Sequence, residues 1–235
     1  MRASKTGATS GEMALSVEFK TVFDCVGWHV SLSLQGRQLG CERDGRWLFE
    51  GLDIDVNRGD IWHVAGPNGS GKTTLLKVLA GQFNDYCGSL HWQGKPLGQG
   101  REHFAANMLY LGHSPGVSAG LTPLENLAWY QALHDECSDE VQREAALATM
   151  GLEGFEDVPV GHLSAGQQRR VALARLNLTP RVLWILDEPF TAIDQAGVEA
   201  LEAQLVAHAR AGGAVVMTTH HVLEIDHPLR HVALG

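Results

Sequence analysis

Residues 31–37 alternate Leu32 and Leu34 with polar neighbours, the period-two pattern of a half-buried strand, and a second strand is expected over residues 52–56. Arg58, Gly59 and Asp60 make a turn, and Ile61–Ala65 is a short apolar run that stops abruptly at Gly66, as a buried strand entering a loop does. Leu75, Leu76, Val78 and Leu79 then form a helical stripe ended by Gly81. Residues 84–163 mix a turn-rich strand over 89–93 with helical patterns over 124–134 and 141–150. Further on, residues 167–176 predict an amphipathic helix, 182–186 a fully buried strand, 198–211 a helix, and Ala214–Thr218 a second buried strand. Apolar strands alternating with helices specify an α/β fold whose parallel sheet is covered on both faces. Residues 1–29 carry no such pattern and read as an extension to a domain spanning residues 30–235.

Composition narrows the classes. With 235 residues, 44% of them hydrophobic, the chain can bury a substantial core, and its 27 glycines and 8 prolines punctuate it without low complexity. The formal net charge of −9 argues against a general binder of phosphate backbones, so no nucleic-acid partner is expected. The four cysteines, Cys25, Cys41, Cys87 and Cys137, show no Cys-x-x-Cys spacing and suggest neither a zinc ribbon nor a disulfide framework. Apolar windows are interrupted by Asp24, Arg175 and Arg181, well short of the roughly 18–20 residues that span a bilayer.

The abrupt stop after Ile61–Ala65 carries chemistry. Gly66, Pro67, Asn68, Gly69, Ser70, Gly71, Lys72 and Thr73, followed by Thr74, fit the P-loop pattern between a strand and a helix. The glycines let consecutive backbone N–H groups turn toward an anion, Lys72 reaches the β and γ phosphates, and the Thr73 hydroxyl suits Mg²⁺. A second element completes it: the apolar run over residues 182–186 ends in Asp187 and Glu188, at the carboxyl edge of a parallel sheet where open α/β folds bind ligands. Asp187 is placed to hold magnesium, and Glu188, pointing to the other side of the chain, to polarise an attacking water.

A third element chooses among phosphate-binding folds. Leu163, Ser164, Ala165, Gly166 and Gln167 open a helix, with a capping hydroxyl and exposed N–H groups that form an anion site. With this the sequence resembles the ATP-binding cassette family, whose Leu-Ser-Gly-Gly-Gln signature in one subunit covers the ATP held by the P-loop of another. The resemblance implies an ATP-hydrolysing domain with a parallel core sheet, an antiparallel β part and a helical subdomain at about residues 84–168. It implies a homodimer that sandwiches two ATP molecules, with Ser164, Gly166 and Gln167 contacting nucleotide across the interface. His220, after the strand Ala214–Thr218, resembles the histidine that contacts the γ phosphate in that family. Ala192, Ile193 and Asp194 resemble the loop that crosses the dimer interface.

Two departures stand out. Where the family stacks adenine on an aromatic residue this chain has Arg43, which could lay its guanidinium plane on the base unless Trp47 substitutes. The glutamine expected before Leu121, Thr122 and the Glu125-Asn126-Leu127 stretch is absent, and His113 and Ser114 stand in that region. The Gly112-to-Gly116 stretch together with Arg43 is similar to the ATP-binding subunits of bacterial cytochrome c maturation exporters. That likeness implies a peripheral ATPase on the cytoplasmic face of the inner membrane, working with integral membrane subunits in haem export or haem-chaperone release. The ATPase of another transporter, with a different substrate, remains the alternative. Val30 would also suit a start site written with a valine codon, which would leave residues 1–29 outside the native protein.

Overall fold

The computed structural model describes residues 32–134, 139–179 and 181–235. The expected extension and the start at Val30 therefore lie outside the described residues. The strands are β1 (Ser33–Arg43), β2 (Arg46–Asn57), β3 (Ile61–Ala65), β4 (Cys87–Trp92), β5 (Lys95–Pro96), β6 (Met108–Leu111), β7 (Leu183–Asp187), β8 (Ala214–Thr218) and β9 (Leu229–Ala233). The α-helices are α1 (Lys72–Leu79), α2 (Arg101–Asn107), α3 (Pro123–Ala132), α4 (Glu140–Thr149), α5 (Ala165–Ala174) and α6 (Gln195–Arg210). Two sheets result: an antiparallel one in the order β2-β1-β4-β5, and a parallel one in the order β6-β7-β8-β3-β9.

Both faces of the parallel sheet are buried, which is why its central strands read as unbroken apolar runs. Along β7, Leu183 and Ile185 face one core with Val64, Leu75, Leu79 and Val216, while Trp184 and Leu186 face a second with Leu173, Leu201, Leu205 and Met217. The first core also takes Leu34, Ile54 and Leu90 of the antiparallel sheet, so α1 is enclosed between the two sheets. A third cluster, of Leu127, Leu147, Leu152, Leu163, Val171 and Ala174, joins α3, α4 and α5. Residues 84–168, expected as a helical subdomain, open with strands. β4 and β5 belong to the antiparallel sheet and β6 to the parallel one, and the helices of the third cluster begin only at α3. Leu90, Trp92, Leu109 and Leu111 are apolar at every second position and are buried in the first two cores, which ties that stretch to the sheets.

The first two strands are longer than their alternation predicts. They meet in a hairpin closed by Asp44 and Gly45, with φ of 52° and 73°, the backbone that an Asp-Gly turn of this kind requires. Arg43, Arg46 and Trp47 sit at its exposed tip, where charged side chains hide the alternation.

Behind β7, His208 of α6 is fully buried and stacks on Trp184, with ring centroids 3.7 Å apart and an interplanar angle of 8°. The ring lies over Gly213, where an added Cβ would come within 2.2 Å of Nε2. Burial drives the pKa of His208 from 6.5 down to about 3, and hydrogen bonding to the backbone of Val182 and Ala214 opposes this only in part. The folded chain therefore keeps His208 neutral, whereas the unfolded chain binds a proton below about pH 6.5. Stability should fall as pH drops through 6.5 toward 3, by about 2 kcal/mol from this group at pH 5. Urea unfolding at pH 7 and pH 5 checks this, with a smaller pH difference expected in His208→Gln.

Candidate nucleotide-binding site

The carboxyl ends of β3, β6, β7 and β8 converge on a cavity of about 490 Å³ lined by Leu48, Asn68, Gly69, Gly71, Lys72, Thr73, Thr74, His113, Asp187, Glu188, Thr191 and His220. On one side, residues 66–71 turn from β3 into α1 with Gly66, Gly69 and Gly71 at positive φ. At Gly66 a side chain is excluded outright, since a Cβ would lie 2.5 Å from the carbonyl oxygen of Leu234 and 2.7 Å from Ser70 Oγ. Lys72 folds back over this loop, its Nζ donating to the carbonyls of Gly66 (2.7 Å) and Pro67 (3.2 Å). Ser70 is buried beneath the loop.

Opposite, Asp187 bridges the two halves of the site. Its Oδ2 accepts a hydrogen bond from Thr73 Oγ1 at 2.8 Å, and its Oδ1 accepts one from Thr218 Oγ1 at 2.7 Å. Thr218 belongs to β8, which lies between β7 and β3, and its hydroxyl also accepts from the N–H of Glu188 at 3.0 Å. Glu188 has a φ of 50°, a left-handed conformation rare for a residue with a side chain. The turn aims its carboxylate at His220, whose backbone N–H donates to Oε2 at 3.3 Å and whose Nε2 lies 3.6 Å from Oε1. Oε1 is buried and receives no hydrogen bond among the described residues.

The segment carrying His220 is held from both sides. His63 Nε2 donates to the Thr219 carbonyl at 3.1 Å, and burial lowers the His63 pKa, so the ring is a neutral donor there. His221 pairs with buried Glu202 of α6 at 3.0 Å, and Glu202 Oε1 also accepts the N–H of Glu224.

Ser164, Gly166 and Gln167 do not line the cavity. Ser164 and Gln167 form a capping box at the start of α5, where Ser164 Oγ accepts from the Gln167 N–H and Gln167 Oε1 from the Ser164 N–H. Gly166 packs against the loop after Glu188, and a Cβ there would meet the Ala192 carbonyl oxygen at 2.3 Å. The same loop is tied to α5 by an Arg170–Asp194 ion pair of 2.6 Å. The Gly197 N–H and then the Arg170 guanidinium hold the Asp194 carboxyl below its usual range. Arg43 also stays outside the cavity, its guanidinium 5.1 Å above the Phe83 ring. His113, by contrast, lines it. Sequence patterns gave no notice of Thr218 or Leu48, because each reaches the site through the order and pairing of strands.

A glycine-rich strand-to-helix cradle facing an acidic strand end defines a P-loop nucleoside-triphosphatase domain. The family model described as ABC transporter matches residues 49–191, and the chain belongs to that family as an ATP-binding, ATP-hydrolysing subunit. It is 54% identical over 195 residues to the cytochrome c biogenesis ATP-binding export protein CcmA of Pseudomonas putida, covering 83% of this chain and 92% of that protein. The protein of the same name from Escherichia coli is 50% identical over 202 residues, 86% of this chain and 96% of the relative. Among solved structures, an ATP-binding subunit of an ABC transporter superimposes with a TM-score of 0.71 at 25% identity, over 80% of this chain and 79% of that one. A putative ABC transporter ATP-binding protein from Pyrococcus furiosus shares the fold with a TM-score of 0.73, over 86% of this chain and 97% of the other. No helix among the described residues is long and apolar enough to cross a membrane.

Proposed function

We propose that this chain is the ATPase subunit of an exporter serving c-type cytochrome biogenesis, with haem export or release of a haem chaperone as its task. The observation that carries the reading is the extent of the likeness, 50–54% identity to proteins named for that process over at least 90% of their length. The chain acts as a peripheral subunit on the cytoplasmic face of the inner membrane, docked on integral membrane partners, and pairs with a second copy around two ATP molecules. In that pairing Ser164, Gly166 and Gln167 face the nucleotide held by the partner copy's P-loop, which agrees with their position away from the chain's own cavity.

Within one site, Lys72 and the N–H groups of residues 68–74 hold the phosphates, Glu188 takes the proton of the attacking water, and His220 orients the γ phosphate. Thr73 and Asp187 present two hard oxygen donors in mutual contact, the donor set that Mg²⁺ takes alongside phosphate oxygens and water. When bound, Mg²⁺ would neutralise charge on the β and γ phosphates. Arg43 or Trp47, at the hairpin tip, is the surface offered to the adenine.

Co-expression of the tagged chain with the membrane subunits of the cytochrome c maturation system tests the assignment. Co-purification with those subunits and an ATPase rate that rises in their presence are expected. Capture by the membrane subunits of a different transporter would overturn it.

A further inference from the structure

Arg169 lies within α5, the helix capped by Ser164, yet it is only 4% exposed. Its Nη2 donates to two consecutive carbonyls at the end of β7, those of Asp187 (2.6 Å) and Glu188 (3.0 Å). Its Nη1 donates to the Gly112 carbonyl at 2.7 Å and, at greater length, to that of His113 at 3.4 Å. Strands β6 and β7 are neighbours, with Leu111 opposite Leu186, so one guanidinium closes the carboxyl ends of two adjacent strands. Further along the same helical stretch, Arg175 donates from Nη2 to the Gly116 carbonyl at 2.6 Å and lies over the Tyr130 ring. The loop over residues 112–116 is thus gripped at both ends by arginines that follow the Ser164 cap, and its His113 lines the cavity.

We propose that Arg169 is a positioning residue for ATP hydrolysis. It joins the helix that begins at Ser164 to the peptide carrying Glu188 and to the loop carrying His113, so that these three move as one unit when nucleotide binds or leaves. The proposal rests on the ATPase reading of the preceding section. The chemistry of the side chain fits the task. Four carbonyl oxygens at the ends of two strands need donors spread over a rigid planar fork, which guanidinium supplies. A glutamine amide offers one NH₂ group, and lysine offers a point charge on a flexible stem. The left-handed turn at Glu188 makes this support matter, because the peptide it steadies is the one that aims the Glu188 carboxylate.

The test uses the full chain, with the native protein and Glu188→Gln run alongside Arg169→Gln and Arg169→Lys. Misplacement of a catalytic group by a fraction of an ångström should make Arg169→Gln lower kcat by about tenfold to a hundredfold. The Kd of a non-hydrolysable ATP analogue should change by less than about threefold, because the P-loop is untouched. Arg169→Lys, keeping the charge but not the fork, should fall between native and Arg169→Gln in kcat at a similar Kd. Rates within about twofold of native in both variants would overturn the proposal. So would parallel losses of kcat, analogue affinity and melting temperature, the pattern of a residue that merely holds the fold together. If Glu188→Gln is inactive while both arginine variants hydrolyse ATP within about twofold of the native rate, only the role of Arg169 falls; if the native chain hydrolyses no ATP, the ATPase reading falls and takes this proposal with it.

Discussion

Glu188→Gln is expected to lower kcat for ATP by about 10²- to 10³-fold, the usual cost of removing a positioned general base. Affinity for ATP should survive, since Gln keeps the shape of Glu and the phosphate-holding groups lie on the other side of the cavity, at Lys72, Thr73 and the loop before them. The fold should survive as well. The backbone N–H of Glu188 still donates to Thr218, and its carbonyl still accepts from Arg169. Bound but uncleaved ATP should then hold two copies together, so that size exclusion in the presence of ATP shows a dimer that the native chain populates only transiently. The carboxylate is favoured over its neighbour His220 because Oε1 is buried at the cavity without a hydrogen bond among the described residues, whereas the histidine side chain is 65% exposed. Steady-state hydrolysis of Glu188→Gln beside His220→Ala decides between them. A Glu188→Gln rate near that of the native chain, with His220→Ala inactive, would transfer the role of base to the histidine.

How much of this site was legible in the sequence depends on how far apart its parts lie along the chain. The P-loop is eight consecutive residues whose glycines state their own backbone requirement, and Asp187 and Glu188 end an apolar run long enough to identify a buried strand. Those elements stand in the structure where the pattern puts them. Thr218 was invisible because its importance comes from strand order: β8 lies between β7 and β3, and only that order brings its hydroxyl against Asp187. Arg169 was hidden for a related reason. A charged residue on an amphipathic helix is expected at the solvent face, and its burial follows from four carbonyl acceptors contributed by residues 112, 113, 187 and 188. The strand β9 carries no strand pattern because none of its residues is buried and the exposed Arg230 and His231 break its apolar run at the sheet edge. Arg43 shows the opposite failure. Position along the chain nominated it for the adenine, while in the structure its guanidinium rests on Phe83, so stacking on the base requires it to exchange one ring for another.

Lys72→Ala should reduce kcat/KM for ATP by about 10³-fold or more, through loss of a cation from the place where charge develops on the phosphates. The ammonium donates to the carbonyls of Gly66 and Pro67, which are weaker partners than a triphosphate. Binding therefore exchanges two neutral acceptors for anionic ones, and the gain is greatest in the transition state. Part of the loss should appear in affinity, in contrast to Glu188→Gln, and the two variants together separate holding the phosphate from activating the water. Little change in stability is expected. Lys72 lines an open cavity, and the two carbonyls it leaves stay within reach of water, so a melting temperature within a few degrees of native should accompany the lost activity. Equilibrium binding of a fluorescent ATP analogue, hydrolysis kinetics and thermal melting on the same preparation distinguish these terms. A Lys72→Ala chain that hydrolyses ATP at the native rate would remove the phosphate-holding role from residue 72 and leave the loop N–H groups as the sole cradle.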